Sequence, residues 1–401
     1  MSNPIMVNPV PQVKLSFDDT AIAFKHQSNK DLKRSFWLFK IISNNFLVKV
    51  GPIFTKAALA LKLPISGLIK ATIFKQFCGG ENIEECTKTI QHLNSSGVGT
   101  ILDYSVEGED DESVFDATAE EIIKTIEKAI AMPHAIPFCV FKITGIARFA
   151  LLEKLNAKVE LKDFEKVEWQ KAHQRIESIC ETASKAQKQL MIDAEESWIQ
   201  DVIDDVALEM MRKFNLEKAI IFNTYQLYRH DKLASLINDV TIAEVENFYL
   251  GAKLVRGAYM EKERRRAGEM SYLSPIQTDK ASTDRDYDLA LDFCVEHLKT
   301  ISFVAGTHNQ DSCLLLTEKM EQLVITPTDQ RVYFSQLLGM SDNLSFNLSN
   351  AGYKVAKYVP YGPVKAVLPY LFRRAEENTA IAGQMGRELS LIAKEMKRRG
   401  L

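Results

Sequence analysis

Eight short apolar runs, rich in β-branched and aromatic residues and separated by longer helical patterns, constrain this chain more than any other feature. They are VGTILDY (98–104), PFCVFKIT (137–144), QLMIDA (189–194), AIIFNTY (219–225), GAKLVRG (251–257), SFVAGTH (302–308), RVYFSQ (331–336) and YKVAKYV (353–359). Each is nearly continuous in hydrophobicity, as a strand covered on both faces must be. Helical signals fill the gaps. DATAEEIIKTIEKAI opens at Asp116, one long charged helix is expected over 162–189, and Pro363 stands where a first helical turn tolerates proline. Eight βα units over about 260 residues match the size of a (βα)8 barrel, with a doubly wound sheet as the competing arrangement. The expected organisation is a helical N-terminal region over 1–96, an α/β barrel of the TIM type over 97–381 and a C-terminal helix over 382–401.

Several functions are disfavoured at once. Fifty basic against fifty-three acidic residues leave a formal charge of −3, which offers no global field for nucleic acid. The six cysteines show no C-x-x-C spacing, which suits reduced thiols better than a disulfide framework. No P-loop, no G-x-S-x-G elbow and no H-E-x-x-H pair occurs, and the Gly97–Gly99 pair precedes a strand and lacks a third glycine, so it is a poor Rossmann fingerprint. Asp193, Glu195 and Glu196 lack a histidine in sequence reach, and no metal site is expected.

A barrel places its active site at the carboxyl ends of its strands, so the polar residue closing each run carries the information. In order these are Asp103, Lys142, Asp193, Asn223, Arg256, Thr307 with His308 and Asn309, Gln336, and Tyr358. One such residue is an ordinary strand cap; eight together suggest a site. On the last candidate helix, Arg373 and Arg374 stand one turn before Glu377. That spacing fits either a solvated salt-bridged face or, if the helix crosses the barrel mouth, a clamp for a planar carboxylate. On the residues alone, a Schiff-base aldolase or lyase with Lys142 as nucleophile is a natural reading.

The segments VFKITG, MIDAEES, IFNTYQLYRHD, GAKLVRGAYMEKER, AGTHN, FSQLLGM and KYVPYGPVKAVLPYLFRRAEEN, in order over 98–380, resemble proline dehydrogenase. The resemblance implies a distorted (βα)8 barrel that holds FAD across its strand ends, oxidises L-proline to Δ1-pyrroline-5-carboxylate and passes electrons to a membrane quinone. Length points to the monofunctional form, without the aldehyde dehydrogenase domain of some bacterial members. By this resemblance Arg373, Arg374 and Lys142 bind the proline carboxylate, Tyr358 packs on the pyrrolidine ring, Leu337 lines the apolar side, and Glu107 closes over an arginine as a gate. Tyr358 favours proline over hydroxyproline, since enzymes acting on the latter carry a smaller residue there. Asp193, Asn223, Lys253, Val255, Arg256, Gly257, Tyr259, Lys280, Thr307, His308, Asn309 and Glu377 match positions at the flavin. Lys253 replaces the arginine of the better-known bacterial pattern, and Asn223 replaces a glutamine.

Between Asp31 and Glu81 there is no acidic residue, while Lys33, Arg34, Lys40, Lys49, Lys56, Lys62, Lys70 and Lys75 contribute eight positive charges. A quinone-linked enzyme must dock on a bilayer, and residues 32–80 are the expected basic, apolar surface for peripheral contact with an anionic membrane. The opening residues resemble neither a secretory signal nor a transit peptide, so a cytoplasmic location on the inner face of the membrane is expected, or a mitochondrial one in a eukaryote.

Overall fold

The computed structural model describes residues 15–43, 51, 55, 61, 65–105, 111–380 and 384–401, the side chains of 375–380, 384 and 385 excepted. Strands β1 (Val98–Tyr104), β2 (Phe138–Phe141), β3 (Gln189–Ile192), β4 (Ile221–Gln226), β5 (Leu250–Val255), β6 (Ile301–Gly306), β7 (Val332–Leu337) and β8 (Val355–Tyr361) pair in parallel in sequence order, and β8 closes onto β1. Every strand falls on one of the eight apolar runs, and the closed (βα)8 barrel excludes the doubly wound sheet.

The helices used below are α1 (Asn29–Ile42), α2 (Ile83–Asn94), α3 (Glu112–Ala131), α4 (Phe149–Asn156), α5 (Asp163–Lys185), α6 (Ser197–Phe214), α7 (Lys232–Glu246), α8 (Met260–Met270), α9 (Lys280–Glu296), α10 (Gln310–Gln322), α11 (Asp342–Asn350), α12 (Val364–Ala380) and α13 (Gln384–Arg398). Two sequence boundaries shift. α3 begins a turn before Asp116, because the Asp111 side chain accepts from the Ser113 N–H and caps the helix there. α5 stops at Lys185 rather than 189, where Gln187 adopts a left-handed φ of 55° and turns the chain into β3.

Alternation along the strands sorts the side chains. Outward residues such as Ile192, Tyr225, Leu254, Phe303 and Phe334 join the helices in the main core, whereas Ile101, Phe138, Val140, Met191, Phe222, Val304, Tyr333 and Ala356 fill the barrel interior. α2, from the N-terminal side of the first strand, packs on β1 and β8. α12 instead joins α1, the segment through Phe77 and α13 in a second core built on Phe39, Phe77, Val367, Leu371 and Ile392. Gly339, at φ 75°, sits where this assembly meets the barrel; a Cβ there would lie 2.1 Å from the Gln76 carbonyl oxygen.

Several cations of the acid-free segment are matched by carboxylates at its two ends: Arg34 and Lys75 by Asp31, and Lys70 by Glu81 and Glu85. Lys49, Lys56 and Lys62 lie outside the described residues. Trp37, Ile41, Leu61 and Leu68 are exposed, with the Lys40 ammonium 4.9 Å from the Trp37 ring.

Candidate active site

The strand alternation that fills the barrel with apolar side chains continues to its mouth with polar ones, around a cavity of about 510 Å3. Asp193, just past β3, is its hub. Lys142 donates to Oδ2 at 2.7 Å, the Tyr358 hydroxyl donates to the same oxygen at 2.7 Å, and Lys253 donates to Oδ1. Burial alone would push this carboxyl up, but Lys142 and Lys253 outweigh it and hold Asp193 well below the usual carboxylate range. Tyr358 is pushed far above its ordinary value by burial and by Asp103 and Asp193, so it remains a neutral donor. The Lys253 ammonium also lies 5.0 Å from the Tyr358 ring centre.

A second wall follows β5 and β6. Arg256 donates to Asp284 at 2.7 Å, Thr307 at 2.8 Å and Ser312 at 3.0 Å, and its guanidinium stacks 4.3 Å from the Tyr287 ring. These contacts tie β5 to α9 and α10. Gly257 has φ 139°, and a Cβ there would lie 2.4 Å from the Tyr228 ring, so the close approach needs glycine. Val255, Tyr259, Thr307, His308 and Asn309 line the same wall, and Lys280, paired with Asp284, stands at its outer edge. Leu337 from β7, and Tyr370, Arg373 and Arg374 from α12, complete the cavity. Arg374 is buried, so α12 presents its arginine pair to the barrel mouth rather than to solvent.

Asn223 departs from its expected place. It faces outward from β4, where its amide donates to Asp204 of α6 at 2.9 Å, beside the Lys232 ammonium on the same carboxylate. Strand parity explains this: with Phe222 in the barrel interior, the inward positions are Thr224 and Gln226, and both line the cavity. The Gln226 amide donates to the Glu195 carbonyl at 2.7 Å. Thr224, Gln226, Tyr370 and Arg387 were not singled out in the sequence; extending the fourth run to residue 226 and reading its alternation finds the first two. Asp103 and Gln336, noted there as run-closing residues, also line the cavity. Glu107 and the Glu377 side chain lie outside the described residues.

Beneath this layer, Glu195 is fully enclosed and accepts from the Thr144 N–H at 3.1 Å and from the Thr144 hydroxyl. Burial, then Glu196, push its carboxyl up to about 8. With an unfolded value of about 4.3, its stabilising contribution is complete below that pH and is lost as pH rises through 8. Glu195→Gln keeps an acceptor oxygen for the Thr144 N–H and reverses the other bond, its amide donating to the Thr144 hydroxyl oxygen, and is expected to raise the thermal midpoint at pH 9 but not at pH 5. Equal midpoints at pH 9 would show that the group carries no such penalty.

The Lys142 ammonium, held on an ionised Asp193, is in the wrong state for an amine nucleophile, which counts against the Schiff-base reading. Among the described residues no cluster of histidine, cysteine and carboxylate side chains is arranged to hold a metal ion. The cavity has the size of a cofactor pocket, with cations at its outer edge and mixed donors and acceptors along its inner wall. That donor set suits a large anionic organic cofactor, FAD included.

Fold and site together define a (βα)8-barrel enzyme class that works at the carboxyl ends of its strands. The proline dehydrogenase family profile matches residues 86–387. The chain is 35% identical to proline dehydrogenase 1, mitochondrial, of Dictyostelium discoideum over 95% of its own length and 74% of that protein. It is 37% identical to the human protein of the same name over 86% of its length, spanning 53% of that relative. The chain belongs to the proline dehydrogenase family. Its fold is similar to that of proline utilization A from Bdellovibrio bacteriovorus, solved after inactivation by N-propargylglycine, with a TM-score of 0.70 and 18% identity over 94% of this chain and 40% of that one.

Proposed function

We propose that the chain oxidises L-proline to Δ1-pyrroline-5-carboxylate at this cavity, with FAD as hydride acceptor and a membrane quinone as final oxidant. The observation that carries the reading is the meeting, in one cavity, of the arginine pair of α12 with the Asp193, Lys142, Lys253 and Tyr358 cluster of the strands. Arg373 and Arg374 offer paired N–H donors to the proline carboxylate. Lys142 adds positive potential, which favours the neutral ring amine that must be present when hydride leaves C5. Tyr358 presents its ring face to the pyrrolidine while its hydroxyl stays tied to Asp193, and Leu337 keeps water from the apolar side. When bound, FAD supplies the acceptor for that hydride. Lys253, Val255, Arg256, Gly257, Tyr259, Lys280, Thr307, His308 and Asn309 would hold it, with Gln226 in place of Asn223 on β4.

The purified protein is expected to be yellow, and anaerobic L-proline is expected to bleach its flavin absorbance. Protein that stays colourless after incubation with FAD would defeat the reading.

Among the described residues no helix is long and apolar enough to cross a membrane. The proposed quinone contact is peripheral, through the exposed Trp37, Ile41, Leu61 and Leu68 with Lys33 and Lys40 beside them. The location this implies is a membrane face, mitochondrial in a eukaryote. In flotation with anionic vesicles, wild type is expected to rise with the lipid, and Trp37→Ser/Ile41→Ser and Lys33→Glu/Lys40→Glu to remain below. Equal flotation of all three removes this surface.

A further inference from the structure

A buried lysine stands behind the apolar wall of the cavity. Along β8, Ala356 and Tyr358 point into the barrel, while Val355 and Val359 point out into the main core. Strand parity puts Lys357 on the outer face as well, between those two valines, and it is 1% exposed. Its ammonium has three protons and meets three acceptors: the Leu337 carbonyl at 3.3 Å, the Met340 carbonyl, and Asp342 Oδ1 at 2.7 Å. All three lie on one passage of chain, from the last residue of β7 to the first of α11. The second carboxylate oxygen of Asp342 accepts from Gln27 at 2.9 Å.

That passage is a turn held by its surroundings. Gly339 and Ser341 both have left-handed φ values, 75° and 49°, and a residue other than glycine stays there only when its environment imposes it. A second strut comes from the N-terminal region. The Ser35 hydroxyl donates to Gln76 Oε1 at 2.9 Å, which leaves the Gln76 amide to donate to the Gly339 carbonyl at 3.1 Å, and both side chains are buried. A buried charge pair rarely adds stability over apolar side chains of the same shape, and the flanking outward positions of β8 are apolar. What an ammonium supplies there, and a methionine does not, is direction: three bonds that fix the backbone leaving Leu337. Leu337 is the ladder partner of Tyr358, lines the cavity beside it, and packs on both the barrel interior and the second core.

We propose that Lys357 is a positioning residue: by pinning the backbone from Leu337 to Asp342, with Gln76 as the second strut, it holds the Leu337 side chain beside Tyr358 and so limits the cavity to a five-membered ring. The ring-size half of this inference rests on the proline reading above; the placement of Leu337 does not.

The test compares L-proline with L-pipecolate, its six-membered homologue, in wild type, Lys357→Met/Asp342→Asn and Gln76→Met. The double variant removes the ammonium together with the charge it neutralises and leaves an amide oxygen for Gln27, so no unpaired carboxylate confounds the result. One methylene is worth about 10–200-fold in a fitted pocket. The wild-type preference for L-proline in kcat/KM is expected to fall about ten-fold in both variants, through KM, with kcat for L-proline within about two-fold of wild type. The same proteins without substrate, 13C-labelled at leucine methyls and with Leu337 assigned by Leu337→Ile, give the separation of its two methyl shifts. That separation is wide for one fixed rotamer and narrows on averaging, and it is expected to narrow in both variants. A wild type that does not favour L-proline, or variants that keep its preference, overturn the ring-size limit. An unchanged methyl separation overturns the positioning role. If the double variant does not fold, Gln76→Met carries both readouts. Protein that oxidises neither amino acid fails the function proposed above, while the methyl separation still decides the placement of Leu337.

Discussion

Arg374→Met is expected to raise the KM for L-proline by about two to three orders of magnitude while FAD stays bound. The Arg374 guanidinium is buried at the barrel mouth, so a substrate carboxylate placed against it has given up its water and has few other groups to satisfy it. Removing one partner of such a pair costs about 2–5 kcal/mol, much of it the penalty of the charge left behind. Arg373, more accessible on the same helix face, is expected to show the same effect at smaller size. Steady-state kinetics separate KM from kcat, and the visible spectrum reports flavin retention. A KM within two-fold of wild type in both variants removes the clamp.

Asp193→Ala is expected to be the most destabilising single change in the site, by about 3–5 kcal/mol, because it leaves the Lys142 and Lys253 ammoniums facing one another in a buried space and strips Tyr358 of its acceptor. Asp193→Asn, which retains an acceptor oxygen, should lose less. The pH dependence has a definite sign. Because the folded carboxyl is held well below its unfolded value of about 3.9, its stabilisation is complete above that pH and fades as acid titrates the folded form. The gap between wild type and Asp193→Ala in urea unfolding should therefore be full at pH 7 and narrow below pH 4. A gap of the same size at both, or none at pH 7, would mean that the two lysines find other partners.

Much of the site could be read from the chain because strand ends are local features. A run that stops being apolar at Lys142 or Asp193 marks both the end of the strand and the residue aimed past it, and these two meet Tyr358, from within β8, on the Asp193 carboxylate. Asn223 shows the limit of that reading. It also closes an apolar run, but it occupies an outward position of β4 and belongs to a polar contact with α6 and α7. One residue of parity separates a pocket wall from the outside of the barrel, and the end of an apolar run does not reveal it when the strand continues to Gln226. In the basic segment, charge counted along the chain does not show that the bordering Asp31, Glu81 and Glu85 fold back to pair with Arg34, Lys70 and Lys75 in space.

Although the pairing of β8 with β1 was needed to choose a closed barrel over a doubly wound sheet, the chain alone specified eight doubly covered strands alternating with amphipathic helices, through near-continuous apolar runs and a helical period of 3.6 residues. It also determined which residue types stand at the strand ends. Only the tertiary structure decided that Arg373 and Arg374 face the mouth rather than water, because that depends on α12 leaving the barrel's outer ring for the second core with α1 and α13. It likewise brought Gln76 and Lys357, from distant parts of the chain, onto the turn between β7 and α11. Hydrogen bonds and ion pairs act over about 3–4 Å of space with no regard for sequence separation, so no local pattern announces them.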